Sequence, residues 1–316
     1  MNGSRQCFWG RGEAMNVSYS YSVKSDKSFG FTFMKPFLGW QKYSNISFSA
    51  YRDFAYLPWN LCNSKENGLH FQYSGQLWAR KLFHNIKATM TWRTLCPSRE
   101  TVFSIREYAG HTIKCSLENS VAFDTRNNRL LPSKGLLLRF AQEYAGLMGD
   151  ATFVKHQFDF QAAAPLIFGT FLSASIQASV LTSLAGRSLH ILDRLYLGGP
   201  YDVRGFNINS IGTRGNTSCL GGATSFAGVL HFYIPLKPPE SLFAHAFLCT
   251  GCVASVHSKN RLSDLANFQR ISGGIGLVLI LGNIIRVEMN YVVPLKHSAG
   301  DSYTPGLQFG AGINFL

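Results

Sequence analysis

The stretch FGTFLSASIQASV, residues 168–180, alternates mostly apolar side chains with small or polar ones. Phe168, Leu172 and Ile176 belong to the apolar set, and Ser173 and Gln177 belong to the polar set. The stretch lies within the longest uncharged run of the chain, 160–186, which is long enough to cross a bilayer as a helix. A period of two residues is typical of a strand, however, so we reject a helical membrane span.

The same alternation recurs along nearly the whole chain. It predicts fourteen antiparallel strands in thirteen segments: 15–36, 44–52, 69–77, 84–93, 111–123, 134–145, 151–161, 167–181, 222–234, 243–254, 271–281, 283–293 and 305–316. The first segment holds two strands. A further strand at 100–107 is doubtful. No amphipathic helix of three or more turns is evident. The sequence therefore predicts an all-β, up-and-down antiparallel protein.

The composition narrows the class of protein further. Of the 316 residues only 15% are charged, 46% are hydrophobic and 14% are aromatic, which excludes a disordered chain. The formal net charge is +13, but the basic residues are spread over strands and loops without clustering, so no nucleic-acid partner is expected. A chain with few charges and many aromatic residues is either an all-β soluble protein or embedded in a membrane.

Three features favour a transmembrane β-barrel over a soluble lipid-binding sandwich. The segments have about the length of the 9–11 residues that cross hydrocarbon at a tilt. Their apolar face is almost free of charge, whereas the alternate face carries charged and amide side chains, as a watery lumen would. Aromatic residues lie near predicted strand ends, as in interfacial girdles: Phe37, Trp40, Tyr56, Trp59, Trp78 and Tyr144. The sandwich remains the alternative.

Sites for catalysis, metals or cofactors are not expected. Cys249 and Cys252 would point to opposite faces of a strand, and no second cysteine pair or suitably spaced histidine accompanies them. Gly273, Gly274 and Gly276 open a strand rather than a helix, which is the wrong context for a phosphate-binding loop. The N-terminus lacks the apolar segment of a secretory signal. The seven scattered cysteines fit a reducing environment better than a disulfide framework.

The segment 187–222 interrupts the strand pattern. A loop of this length is usually functional or disordered, and this one is not of low complexity. Its part RLYLGGPYDVRGF, residues 194–206, resembles the signature loop of the barrel-assembly outer-membrane (bacterial surface antigen) superfamily. The matching loop residues are Gly198, Gly199, Pro200, Arg204, Gly205 and Phe206. Five strand-like segments follow the loop, as in that family, and the flanking segments look most like the central barrel subunit of the mitochondrial sorting and assembly machinery.

The resemblance implies that the loop folds back into the barrel and places Arg204 against the inner wall. The family supplies an acidic or amide acceptor two residues after an aromatic residue on the second strand past the loop. Here that place is Cys249, two residues after Phe247, and a thiol is a poor acceptor for a guanidinium. Glu288, on the polar side of its strand, is a candidate substitute.

The resemblance also assigns a role to the last strand. Gln308, Gly310, Ile313 and Phe315 fit the sorting pattern that mitochondrial barrel proteins carry in their final strand. In the family this strand forms one side of a lateral gate, where an incoming strand can pair with free backbone groups. We therefore expect the edge at 306–316 to act on client proteins.

The chain differs from the family at its N-terminal end. Members carry polypeptide-transport-associated domains before a 16-strand barrel, whereas here 1–10 reads as a short tail and 11–316 as the barrel domain, and we expect the first two strands of the family pattern to be missing. A barrel of about 14 strands is physically viable.

The resemblance implies a multi-pass protein of the mitochondrial outer membrane without enzymatic activity, which folds and inserts β-barrel precursors. Its expected partners are those precursors, other subunits of the sorting and assembly machinery, and outer-membrane lipids. Two alternatives stay open: a diverged or truncated paralogue without insertase activity, and a passive solute pore.

Overall fold

The structure is a computed structural model. It describes residues 2–6, 12–22, 25–37, 43–77, 81–184, 186–215, 218–236, 241–258, 260–282, 284–298, 300–313 and 315–316. The boundary between the expected tail and barrel at 10–11, and Trp40 and Trp78 of the expected girdles, lie outside these residues.

Seventeen strands are present in the described part of the chain. The first nine are β1 Asn2–Gln6, β2 Ala14–Ser22, β3 Ser25–Pro36, β4 Ser44–Leu57, β5 Cys62–Leu77, β6 Leu82–Pro97, β7 Gly110–Asp124, β8 Gly135–Gly149 and β9 Phe153–Pro165. The others are β10 Phe171–Ser183, β11 Thr213–Gly215, β12 Ser218–Gly221, β13 Thr224–Pro235, β14 Leu242–Ala254, β15 Arg270–Leu281, β16 Ile285–Lys296 and β17 Gly306–Gly312.

Fifteen of these strands form one antiparallel sheet in chain order, from β1 to β10 and then from β13 to β17. The short strands β11 and β12 pair only with each other and belong to the long loop. The fourteen predicted strands correspond to the fourteen strands of this sheet from β2 onward, so the all-β, up-and-down prediction is confirmed. The fifteenth strand, β1, lies within the segment that was expected to be a tail.

Several strands are longer or shorter than predicted, such as β5, which begins at Cys62 where the predicted segment begins at 69, and two segments differ in kind or starting point. The doubtful strand at 100–107 is wrong, because a short helix, α1 (Phe103–Arg106), occupies its middle. The segment at 167–181 begins later, since Ile167–Gly169 forms a turn and β10 starts at Phe171. The only other α-helix in the described ranges is α2 (Arg261–Asn267), and no helix there is long and apolar enough to cross a membrane.

The two faces of the sheet differ as the alternation predicts. On β16 the side chains of Met289 and Tyr291 are exposed, whereas those of Arg286, Glu288 and Asn290 are buried. Exposed apolar residues recur on the outer face of most strands, which is the arrangement of a lipid-facing surface. The polar residues face an interior that the segment 187–222 occupies.

A hydrophobic cluster inside the sheet joins this loop to the wall. Val203 and Phe206 of the loop pack with Val229, Phe247 and Val292 of β13, β14 and β16. The sheet ends at β1 on one side and at β17 on the other, and no pairing joins these two strands in the described residues. The loop thus rests against the wall that ends in the edge strand β17.

Candidate functional site

The segment 187–222 runs from the end of β10 to the start of β13 and folds back on itself. Antiparallel bridges join Leu195 to Gly222 and Leu197 to Ile211, and β11 and β12 form a hairpin within the loop. The N–H of Cys219 donates to the carbonyl of Trp59, which attaches this hairpin to the β4–β5 connection. These contacts give the loop a defined shape.

Arg204 is fully buried at the inner wall. Its Nη2 lies 2.9 Å and its Nε 3.1 Å from Oε2 of Glu288 on β16, and neither side chain is exposed to solvent. The hydroxyl of Ser272 on β15 donates to the carbonyl oxygen of Arg204 at 2.6 Å. Both the guanidinium and the backbone of this loop residue are therefore bound to the wall.

Aromatic rings and weak acceptors complete the surroundings of the Arg204 guanidinium. Its carbon lies 5.2 Å from the ring centre of Phe247 and 5.9 Å from that of Phe315, within cation–π range. Nη1 lies 3.7 Å from Sγ of Cys249, and the carbonyl oxygen of Leu316 is 3.5 Å away. Cys249 is thus a neighbour and a weak acceptor, and Glu288 carries the charge that Arg204 requires.

A second guanidinium shares the Glu288 carboxylate. Arg286 forms an ion pair with Oε1 of Glu288, while its own nitrogens donate to the hydroxyl of Tyr233 at 2.7 Å and to the carbonyl of Leu130 at 3.2 Å. The sequence reasoning did not select Arg286, although its position two residues before Glu288 on the same inward face was a usable signal.

A chain of polar side chains extends this cluster across the wall. Asn290 Nδ2 donates to Glu288 Oε2 at 2.9 Å, and Asn290 Oδ1 lies 2.7 Å from Nε2 of His245. His245 in turn contacts His231, whose Nε2 is 3.1 Å from the carbonyl oxygen of Leu316. The polar side chains on the inward faces of β13, β14 and β16 therefore form one connected hydrogen-bond network. The alternation of the sequence predicts that these side chains face inward, but it does not predict which of them are in contact.

Gly205 allows the loop to approach β16 closely. Its φ is +85°, and a Cβ there would lie 2.8 Å from Cγ1 of Val292. The next residue, Phe206, is buried in the hydrophobic cluster and bridges to Tyr303 ahead of β17. Gly198 is similarly restricted, with a φ of +115° and the carbonyl oxygen of Asn207 only 2.6 Å from the position of a Cβ.

The loop also contacts the edge strand. The N–H of Gly205 donates to Oε1 of Gln308 at 3.0 Å, and the hydroxyl of Tyr201 donates to the carbonyl of Ala311 at 2.7 Å. A Cβ at Gly310 would lie 3.1 Å from Cβ of Pro200. Three of the four selected C-terminal residues, Gln308, Gly310 and Phe315, thus face the loop.

The two selected residues after β17, Ile313 and Phe315, point in different directions. Ile313 is 60% exposed, whereas Phe315 turns inward, where its ring centre lies 4.9 Å from the Arg286 guanidinium and 5.1 Å from the ring of Tyr201. Phe315 therefore belongs to the interior cluster and not to the outer face of the sheet. Gly199, the remaining selected loop residue, adopts a φ of +120° and packs against Ile208.

The first part of the loop has a second buried anchor, which sequence reasoning missed. Asp193 accepts from both terminal nitrogens of Arg93 on β6, at 2.7 and 3.0 Å, and both side chains are buried. Lys114 on β7 bridges Asp193 at 3.4 Å and Glu143 of β8 at 2.8 Å. Two cations and two carboxylates thus balance one another where the loop meets β6, β7 and β8.

Burial and nearby charges set the pKa values of the ionisable loop residues. Burial raises the pKa of a carboxylate, but Arg93 and Lys114 outweigh it and hold the pKa of Asp193 below its ordinary value. Burial, assisted by Arg93, lowers the pKa of His190 to about 4. Burial raises the pKa of Asp202 to about 6, although Arg204 opposes the change. The loop therefore keeps Asp193 charged and His190 neutral.

No cluster of three or more histidine, cysteine, aspartate or glutamate side chains suited to a metal ion occurs within the residues that the structure describes. The buried arginine and half-buried lysine side chains at the loop are instead paired with Asp193, Glu143 and Glu288. The arrangement is suited to holding a loop against two walls of a barrel.

Comparisons with known proteins identify the family of the chain. Residues 8–315 match the Omp85 superfamily domain. The chain is 38% identical over 320 residues to the human sorting and assembly machinery component 50 homolog, covering 97% of this chain and 67% of the relative. It is also 38% identical over 321 residues to the homolog B of Xenopus laevis, covering 98% of this chain and 68% of the relative.

Among solved structures, BamA from Haemophilus ducreyi lacking POTRA domains 1–3 superposes with a TM-score of 0.85 at 15% identity, covering 98% of this chain and 66% of the BamA chain. The chain thus spans about two thirds of the length of these proteins. The similarity to BamA supports the transmembrane barrel fold. By the extent of the domain match and the identity to its relatives, this chain belongs to the Omp85 superfamily, in the branch of the sorting and assembly machinery component 50 homologs.

Proposed function

We propose that this protein acts in the mitochondrial outer membrane, where it assists the folding and insertion of β-barrel precursors at the edge strand β17. The observation that carries the proposal is that β17 is held on two sides and has one unpaired edge. On one side it pairs with β16, and at its inner face it contacts the loop through Gln308 and Ala311. Its other edge has no strand partner among the described residues.

An unpaired edge strand presents N–H and C=O groups to which another strand can add. Within a bilayer no water can satisfy those groups, so an incoming strand that pairs with them avoids a cost of several kcal/mol per group. β17 has only seven residues and pairs with Arg286–Val292. A short edge of this kind is suited to exchanging partners during assembly.

The loop favours this function over a passive solute pore. Val203, Arg204 and Phe206 are each at most 1% exposed, because the loop packs into the interior of the sheet. A pore gains nothing from a bound segment that obstructs its lumen. The names of the relatives, which refer to a sorting and assembly machinery, further support assembly as the function and other subunits of that machinery as partners.

Crosslinking at the edge tests the proposal. In a cysteine-free variant, Phe309→Cys places a thiol on the exposed face of β17, and Met289→Cys places the control thiol at the paired position of β16, one strand from the edge. Isolated mitochondria would receive a barrel precursor with a single cysteine in its last strand.

We expect disulfide crosslinks from position 309 that require an intact last strand of the precursor, and few crosslinks from position 289. Equal crosslinking at the two positions, or none at 309 from a membrane-embedded protein, would reject the edge as the working surface. That second outcome would favour the diverged paralogue without insertase activity.

A further inference from the structure

The tip of the β9–β10 hairpin is an exposed apolar turn. Leu166, Ile167 and Phe168 are 49%, 74% and 92% exposed. The hairpin is well closed, since the N–H of Thr170 donates to the carbonyl of Ile167 at 3.2 Å and the N–H of Leu166 donates to the carbonyl of Thr170 at 2.7 Å. Its three apolar side chains are thus held out from the barrel by a defined backbone.

Phe168 adopts a backbone conformation that is unfavourable for its residue type. Its φ and ψ are 55° and 30°, and Gly169 follows with a φ of 73°. Consecutive residues with positive φ make the tight turn that asparagine, aspartate or glycine ordinarily begins, because a Cβ is strained there. In water the turn would carry two costs, the strain of Phe168 and the exposure of its ring.

The position of the turn indicates what covers it. β10 leads from the turn to the loop 187–222, so the turn lies at the opposite end of the barrel. The outer face of this hairpin carries Phe158, Leu172 and Ile176, each 37–39% exposed, and it continues without a charged residue into the tip. The apolar outer surface of the barrel therefore extends beyond the last paired residues.

Neighbouring turns at the same end show two kinds of surface. The β7–β8 connection carries exposed Arg129 and Lys134, as expected for a turn in water. The β15–β16 connection instead exposes Leu281 at 48% and Ile284 at 74%. Among the connections that the structure describes at this end, the apolar ones thus lie on either side of β13 and β14.

We propose that the β9–β10 tip inserts into the interface of the lipid bilayer and anchors this end of the barrel there. Aromatic and aliphatic side chains at a membrane interface transfer ring and methyl surface from water to the acyl-chain boundary. Because the apolar surface of the tip continues the lipid-facing surface of the barrel, we infer that lipid, and not another protein, covers the tip. The uncharged stretch on both strands leaves no group that would resist entry into the interface.

Fluorescence of the full chain in liposomes of phosphatidylcholine and phosphatidylethanolamine tests this proposal. All five native tryptophans would be replaced by phenylalanine, and one tryptophan would be introduced as Phe168→Trp or, for the control, as Lys134→Trp in the polar turn at the same end. Lipids brominated near the headgroup end of the acyl chain report shallow insertion by quenching.

We expect blue-shifted emission from position 168 and several-fold stronger quenching than at position 134. Unshifted emission at position 168 with quenching no greater than the control would overturn the proposal. If the tryptophan-free chain does not fold, a photoreactive phenylalanine analogue at 168 in the native chain serves instead, with crosslinks to tagged phosphatidylcholine as the supporting result. Crosslinks only to another protein would overturn it in favour of a protein-docking tip.

Discussion

The Arg204 guanidinium and the Glu288 carboxylate, 84 residues apart in the chain, lie 2.9 Å from each other with neither side chain exposed to solvent. Because Glu288 also pairs with Arg286, one buried carboxylate compensates two guanidinium groups. Removal of the carboxylate leaves both cations without their acidic partner, whereas removal of Arg204 leaves Glu288 paired with Arg286.

Glu288→Ala is therefore expected to destabilise the barrel more than Arg204→Met does. Breaking a buried pair from one side costs about 3–5 kcal/mol, and the double variant should recover part of this loss. Urea unfolding in detergent, followed by the gel mobility of folded and unfolded chains, measures each free energy of unfolding. Equal losses for the two single variants with full additivity in the double variant would contradict a coupled pair.

The Asp193–Arg93 anchor should stabilise the first part of the loop in the same way. Asp193→Leu alone leaves Arg93 buried without its carboxylate, which we expect to cost about 3–5 kcal/mol, while Arg93→Met with Asp193→Leu should be much less destabilising. Arg139→Met is the matched control, because that arginine is 41% exposed and lies 3.6–3.9 Å from its acidic partners. Unfolding in urea measures the differences, and a double variant no better than Asp193→Leu would contradict the assignment.

Gly205→Ala tests the close approach of the loop to β16. The added Cβ costs about 1–2 kcal/mol at a positive φ and also contacts Val292. Gly300→Ala is the control, since Gly300 has a similar φ of +87° but open space around it. We expect Gly205→Ala to expose the loop to trypsin and Gly300→Ala to leave it protected. Val292→Ala should partly restore protection, and equal sensitivity of both alanine variants would reject the steric explanation.

His190 should make loop docking depend on pH. Its pKa is lowered from 6.5 to about 4, so the stabilisation from keeping it neutral is present above pH 6.5 and is lost as the pH falls towards 4. Asp202 acts in the opposite direction: its pKa is raised from 3.8 to about 6, so its contribution is present below pH 3.8 and is lost as the pH rises through 6.

The variants His190→Gln and Asp202→Asn separate these two effects. Between pH 4 and 6 the two effects oppose each other in the native chain, so each variant is compared with the native chain at every pH. The free energy of unfolding of His190→Gln, relative to that of the native chain, should increase as the pH falls from 6.5 to 4. That of Asp202→Asn, relative to the native chain, should increase as the pH rises from 4 to 6. Urea unfolding across this range measures both slopes, and slopes identical to that of the native chain would show that neither group is coupled to docking.

The alternation of side chains was sufficient to predict the fourteen main strands, because a strand with one buried face must repeat every two residues. It could not recognise α1, whose four residues are too few to display a helical period. It also placed Phe168 in β10, since a strained turn made of apolar residues has the composition of a strand.

The sequence by itself determined the all-β architecture, the interrupted strand pattern at 187–222 and the superfamily, since these depend on local periodicity and on a motif within thirteen consecutive residues. The sequence nominated Glu288 as a candidate acceptor for Arg204, but only the tertiary structure decided which groups meet. The pairing of Arg204 with Glu288, of Asp193 with Arg93 and of Gly205 with Gln308 joins residues 84–103 positions apart. Such contacts depend on the path of the loop through the barrel. A buried charge needs a partner close in space, and the distance between the two residues along the chain does not reveal which partner that is.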